Sequence, residues 1–359
     1  MSDATYFTVE NSEKLVQGRA GPKADPRLKF VTDTLVKHLH AFVKEANPTM
    51  DEGLTGIKFL SETAHLGTEW RQEFILLSDV LGVSMRVETL NNHKMSGETE
   101  STVLGPFYIE NAAKYPNRAN ICLDGRGEPV RVHGRVTDPD GAPIAGAILD
   151  VWQANDEGYY DVQQKGVQPD MNLRGAFASQ ADGSYCFRSA YPRYYPIPHD
   201  VTVGRWLAAL ERNHFRPADL HFIVSAPGFE KLTTHIFTPD CPWLGDDAVF
   251  GVKESLIADF RTVDDASKAA EIGLPNPFKA WSGISCCPKR RLDEGGEDAR
   301  SLRRLEEAKW RRALWLYVSR RLWPGRGSIL LLSSSPRGSR WTMRLCSPNG
   351  RPATGAATR

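Results

Sequence analysis

The side chains whose types and spacing could do chemistry are tyrosines, an aspartate, a histidine and an arginine. Tyr159 and Tyr160 lie in GYYDVQQ, Tyr191, Tyr194 and Tyr195 in YPRYYPIP, and Arg216, Asp219 and His221 in RPADLHF. In a strand-like run, residues two apart leave the same face, so Asp219 and His221 can converge on one atom. Phenolate, carboxylate and imidazole together make a hard anionic donor set, which prefers a ferric ion over zinc or a softer metal. Each residue alone has a plainer use. A loop tyrosine commonly caps a core edge, and a lone strand histidine is usually satisfied at the surface. The inference rests on the group.

Such a group needs a scaffold that brings distant segments together. From about Pro129 the hydrophobic period is two: PVRVHGRV and PIAGAILDVWQ alternate and are β-branched, and the TDPDGA between them predicts a hairpin. Further strands are expected at 183–189, in LHFIVSA and in LTTHIF, separated by loops rich in Pro and Gly. Short strands with few helices between them predict a β-sandwich.

The first hundred residues have a helical period instead. Leu28, Val31, Leu35, Leu39 and Phe42 mark an amphipathic helix that Asn47-Pro48 ends. Thr49 and Glu52 have capping-box spacing for a second helix, and Thr68 precedes a third whose Trp70, Phe74, Leu77 and Leu81 share a face before Gly82. These stripes suit a core or a subunit interface. The expected fold is an all-β sandwich preceded by a small α-helical N-terminal domain, α + β overall.

Composition sets the outer limits. A chain of 359 residues, 41% hydrophobic and 25% charged, describes one or two globular domains and excludes a disordered or fibrous protein. No apolar run reaches the roughly 18 residues that span a bilayer, and the start MSDATYFTVENSEK lacks a basic-then-apolar layout, so a cytoplasmic protein without a membrane partner is expected. The six cysteines have no paired CxxC spacing and read as free thiols. Charge is unevenly spread: residues 281–359 hold 15 Arg and 2 Lys against 6 Asp and Glu, and five of the nine Trp. A basic, Trp-rich arm could bind nucleic acid, but a misjoined terminus of a GC-rich gene has the same composition. The division expected is a helical dimerisation domain at 1–100, a catalytic sandwich at 101–280, and a tail at 281–359 that is not an evolved domain, with no nucleic-acid partner.

The succession ESTVLGPFY, HGRVTDPDGAPIAGAILDVWQAN, GYYDVQQ, NLRGAF, YPIP, RPADLHF and KLTTHIF resembles the intradiol ring-cleavage dioxygenases over about residues 25–280. Within that family, the helical start, ESTVLGPFY, YPIP and TTHIF are most similar to the hydroxyquinol 1,2-dioxygenases, with the catechol and chlorocatechol enzymes next. The resemblance implies a catecholic substrate, O2, one non-haem Fe(III) per subunit held by two tyrosines and two histidines, and a homodimer with a lipid between its helices. A non-catalytic sandwich, of the kind that binds partners or braces other domains, is the competing class.

Carried over position by position, the resemblance assigns Tyr160, Tyr195 and His221 as iron ligands. The first histidine of the family's RPAHxH motif falls on Asp219. Two tyrosinates, two neutral imidazoles and a hydroxide balance Fe(III), whereas an ionised Asp219 adds a negative charge and is expected to lower activity. Asp is also shorter than His, which puts its reach in question; His214 and His235 are the nearest other imidazoles in sequence. By the same analogy Tyr195 acts as a base toward substrate and Arg216 stabilises negative charge on the activated ring. The implied pocket comprises Leu76, Asp79, Val103, Leu104, Gly105, Pro106, Phe107, Ile197, Pro198, His235 and Val249, with Asp79 placed to hydrogen-bond a third ring hydroxyl.

Overall fold

The computed structural model describes residues 6–68, 71–92, 97–287, 329–330 and 345–346. The chain divides into two units, Met1–Arg290 and Arg291–Arg359. In the second, the described residues are a short antiparallel pair, Ile329–Leu330 with Leu345–Cys346.

The first unit opens with α1 (Ser12–Gln17), α2 (Pro26–Ala46), α3 (Met50–His65), α4 (Glu73–Val80) and α5 (Val83–Asn91). Local chemistry sets the boundaries of the long helices. Asp25 accepts from the Leu28 amide ahead of Pro26, and Asn47 closes α2 in the left-handed conformation. Thr49 and Glu52 form the reciprocal capping box at the start of α3. The third helix differs from expectation. It starts at Glu73, and Trp70 lies outside the described residues. Glu73, Leu76, Leu77 and Val80 are its buried face, whereas Phe74 and Leu81 are exposed. Glu73 fixes that face by accepting from the Val203 amide at 3.1 Å while Arg71 donates to it at 3.0 Å.

No residue of α2 is buried, and Leu28, Val31, Leu35, Leu39 and Phe42 are 42–62% exposed. Among the described residues the stripe belongs to no core.

The sandwich contains β1 (Pro129–Thr137), β2 (Ile148–Trp152), β3 (Arg174–Ala178), β4 (Ser184–Ala190), β5 (Tyr195–Pro196), α6 (Thr202–Ala209), β6 (Phe215–Arg216), β7 (Asp219–Ser225), β8 (Leu232–Phe237), β9 (Arg261–Val263), α7 (Ala266–Ile272) and β10 (Phe278–Cys286). One sheet runs β4-β1-β10-β9 and the other β3-β2-β7-β8, with β5 and β6 pairing separately. Val132, Val136 and Phe187 of the first sheet meet Leu149, Val151, Phe177, Phe222 and Val224 of the second in one buried cluster.

Two expectations are corrected. The TDPDGA turn forms, with the Asp138 carboxylate accepting from the Asp140 and Ala142 amides, and it closes a short antiparallel bridge between Thr137 and Pro143, but β1 and β2 do not pair as a hairpin. Beyond it the chain crosses from one sheet to the other: β1 pairs with β4 and β10, whereas β2 pairs with β3 and β7. Both runs are hydrophobic enough to face a core, and the core lies between sheets, so burial outweighs local pairing. The boundary expected at residue 281 falls inside β10, which pairs in parallel with β1 from Lys279 to Cys286. Trp281 is buried against Phe222 and Phe260, and so belongs to the sandwich.

Candidate metal centre and substrate pocket

Along β7, Leu220, Phe222 and Val224 face the inter-sheet core, so Asp219 and His221 face the opposite side, both buried. Pairing with β2 and β8 sets Trp152 and His235 on either side of His221. Trp152 stacks on the His221 ring at 4.7 Å, which fixes its plane.

The loops bring in the tyrosines. Tyr160 follows β2 and stacks on Phe107 at 4.6 Å, where the Arg174–Asp161 ion pair beside it holds the loop down. Tyr195 begins β5 and is the direct cross-strand partner of Arg216 on β6. Gly158, at φ +85°, lets the two tyrosine loops touch: a Cβ there would lie 2.8 Å from the Tyr194 carbonyl. Gly105, at φ +78°, permits a similar approach to His221, whose Cε1 a Cβ would meet at 3.3 Å.

The four expected ligands converge. Tyr160 Oη is 2.8 Å from His221 Nε2, His221 Nε2 is 3.4 Å from Asp219 Oδ1, and Tyr195 Oη is 3.5 Å from Asp219 Oδ2. Asp219 therefore reaches the cluster despite its shorter side chain. Arg216 Nη1 donates to Tyr195 Oη at 2.9 Å, while its Nε donates to Asp247 at 3.3 Å. His235 also joins the group, whereas His214 stacks on His199 at 4.2 Å.

Burial dominates the electrostatics. It pushes the Tyr160 and Tyr195 phenols well up, with Asp219 adding to the rise in each. Burial outweighs even the adjacent Arg216 guanidinium at Tyr195, so neither phenol ionises near neutral pH without a metal ion beside it. The Asp219 carboxyl is pushed up to about 7 by burial, opposed by Arg216 and reinforced by Asp247. His221 and His235 are pushed down by burial, with Arg216 adding to each, so both imidazoles are neutral. For Arg216, burial favours loss of charge, but Tyr195, Asp247 and Asp219 outweigh it and keep the guanidinium charged.

These residues suit a hard, highly charged cation. Asp219 Oδ1 has no hydrogen-bond partner among the described residues, and two phenols, the carboxylate and the imidazoles of His221 and His235 lie close around it. A cation there would satisfy the carboxylate and ionise the phenols.

A cavity of about 340 Å3 opens at the Tyr195 and Arg216 side of the cluster. Leu76, Asp79, Val103, Gly105, Pro106, Phe107, Ile197, Pro198 and Val249 line it, together with Tyr195 and Arg216. Leu104 does not; it lines an adjoining groove. His235, expected on the pocket wall, is wholly buried beside Arg216 and Asp219. Gln72, Ile75, Val162 and Gln163 also line the cavity and escaped the sequence reading. Val162 and Gln163 could have been found from their place in the turn that follows Tyr160. Asp247, the buried counterion of Arg216, carries no motif that would mark it.

Comparison with known proteins fits this architecture. The family profile described as "Dioxygenase" matches residues 103–276, and that described as "Catechol dioxygenase N terminus" matches 25–99. The chain belongs to the intradiol ring-cleavage dioxygenase family of non-haem iron enzymes. It is 56% identical over 280 residues to a hydroxyquinol 1,2-dioxygenase of Rhizobium sp. strain MTP-10005, covering 78% of this chain and 95% of that one. A 6-chlorohydroxyquinol 1,2-dioxygenase of Cupriavidus pinatubonensis is 45% identical, over 73% of this chain and 94% of its own. Among solved structures, a hydroxyquinol 1,2-dioxygenase from Pseudomonas putida DLL-E4 superposes with a TM-score of 0.73 at 41% identity, covering 78% of this chain and all of that one.

Proposed function

We propose that this protein cleaves hydroxyquinol (benzene-1,2,4-triol) between adjacent hydroxyls with O2, giving a muconate that tautomerises to maleylacetate. The observation that carries the reading is the convergence of Tyr160, Tyr195, Asp219 and His221 beneath an apolar cavity, with Arg216 beside Tyr195. Those four residues would hold one non-haem Fe(III) per subunit. Bound ferric iron would draw electron density from a chelated diolate and make a ring carbon able to react with O2.

The chain's own groups supply the rest. Tyr195, as tyrosinate, takes the proton of one ring hydroxyl at Oη, and Arg216 at 2.9 Å holds that oxygen in place. The guanidinium, kept charged by Asp247, then stabilises the negative ring. Leu76, Val103, Pro106, Ile197 and Val249 exclude water and sandwich a flat substrate. Asp79 stands on the cavity wall, where its carboxyl can hydrogen-bond the third hydroxyl that distinguishes hydroxyquinol from catechol.

The exposed stripe on α2 supports a homodimer through the helical region, and a lipid between the helices belongs to the same reading. Among the described residues no helix is long and apolar enough to cross a membrane, which is compatible with a cytoplasmic enzyme.

Iron analysis and the visible spectrum of the purified protein, followed by O2 uptake with hydroxyquinol and with catechol, test the proposal. Iron, a tyrosinate-to-iron band and faster uptake with hydroxyquinol are expected. Asp219 at a histidine position favours a second reading, a sandwich whose metal site has decayed; a colourless protein that takes up no iron would establish it.

A further inference from the structure

His235 has no assigned role in the chemistry above, yet it is among the most buried polar residues of the chain. Strand pairing sets it directly opposite His221, and the two rings are 3.9 Å apart. Asp219 lies on the same face, two residues before His221. One ligand atom from each of Asp219, His221 and His235 falls within 4.8 Å of the others, and all three residues are buried.

The carboxylate spans the two imidazoles. Its Oδ1 is 3.4 Å from His221 Nε2 and its Oδ2 is 3.4 Å from His235 Nδ1. The other neighbour of His235 Nδ1 is Arg216 Nη2, also at 3.4 Å, beyond the usual N–H···N range. Arg216 can only donate and Asp219 Oδ2 can accept, so the tautomer of His235 decides which of the two Nδ1 meets, and a bound cation would meet the lone pair of the Nε2–H tautomer. Asp219 Oδ1 has no hydrogen-bond partner among the described residues although the side chain is wholly buried. A buried carboxylate between two imidazole nitrogens, with one oxygen unsatisfied, is a costly arrangement that a cation would relieve.

We infer that His235 supplies the imidazole that position 219 lacks, so that Asp219, His221 and His235 hold the metal as a two-histidine, one-carboxylate set with Tyr160 and Tyr195 beside it. The inference rests on the reading of this cluster as an iron site. Two neutral imidazoles and one carboxylate carry a single negative charge, and such a set suits Fe(II) as well as Fe(III). The Asp219 side chain then marks an altered metal site rather than a lost one.

The test uses the metal-free full chain loaded with Cu(II), in which pulsed electron paramagnetic resonance counts the bound imidazoles, and with Fe(II) under argon, whose affinity is read by chelator competition. Two imidazoles are expected in the parent and one in His235→Gln. In the parent background His235→Gln should weaken Fe(II) on the order of 10–100-fold or more. In the Asp219→His background it should change affinity by no more than about twofold, because the new imidazole occupies the position. A single imidazole in the parent, or an equal effect of His235→Gln in both backgrounds, would overturn the inference. If the parent takes up no metal while Asp219→His does, the inference about His235 falls and the iron site stands. If neither takes up metal, the iron-site reading itself fails. Should His235→Gln not fold, the imidazole count in the unmutated parent decides alone.

Discussion

Tyr160 Oη and His221 Nε2 lie 2.8 Å apart although 61 residues separate them in the chain. One comes from the loop after β2 and the other from the middle of the neighbouring strand β7, and ring stacking holds both: Phe107 on Tyr160 and Trp152 on His221. Phenol and imidazole are therefore placed by packing before any ligand arrives.

Asp219→His should take up more ferric iron than the parent, show a stronger tyrosinate-to-iron band and cleave hydroxyquinol faster, by a factor on the order of 10 to 100. Iron analysis, the visible spectrum and O2 uptake check this. Unchanged occupancy and turnover would mean that RPADLHF does not align with the iron motif.

Tyr160→Phe in that same background should lose most of the visible band and nearly all turnover. The phenyl ring keeps the stack on Phe107, so melting should shift by only a few degrees; a protein that remains coloured would rule Tyr160 out as a ligand.

Asp219→Asn should alter metal-free stability in a pH-dependent way. Burial pushes the Asp219 carboxyl up to about 7 in the fold, against the ordinary value of 3.8. A raised carboxyl contributes stability that is present in acid and is lost as pH climbs from about 4 through 7. The metal-free parent should thus lose stability relative to Asp219→Asn over that window, by an amount on the order of 1–4 kcal/mol. Denaturant melts at pH 5 and pH 8 measure it, and a constant difference between the two proteins at both pH values would refute the assignment.

Asp247→Asn should loosen Arg216 without removing any ligand. Asp247 accepts from Arg216 Nε and from the Val249 and Gly251 amides, so the cost in stability is about 1–3 kcal/mol. With iron retained, turnover should fall on the order of tenfold while KM changes less; equal loss of iron and turnover would show that Asp247 acts only by holding the fold together.

Truncation separates the sandwich from the basic segment. A chain ending at Ala280 loses Trp281 and most of the β1–β10 ladder and should not fold stably, since burying that one side chain is worth about 2–3 kcal/mol. A chain ending at Arg290, where the first unit ends, should melt close to the full-length protein. Thermal melts of the two truncations decide it, and a large loss on removing 291–359 would show that the segment contributes to the fold.

Local signals determined much of this protein. Asp25, Asn47, Thr49 and Glu52 act through neighbours three or four residues away, so the ends of α2 and α3 were legible from the chain. The two-residue spacing of Asp219 and His221 sets a shared face wherever β7 pairs, and the motifs around Tyr160, Tyr195 and Arg216 pointed to a common site. Tertiary structure decided the rest. TDPDGA predicts a hairpin because its turn chemistry is local, whereas the partners of β1 and β2 depend on which faces are buried between the sheets. Composition groups Trp281 with the basic residues after it, yet its place is set by Phe222 and Phe260, tens of residues upstream. His235 and Asp247 carry no spacing pattern that marks them, and only the register of β7 with β8 and the path of the chain after Trp243 bring them to Asp219 and Arg216. Burial then shifts the Asp219 carboxyl to about 7, because a buried carboxylate loses hydration that no sequence pattern records.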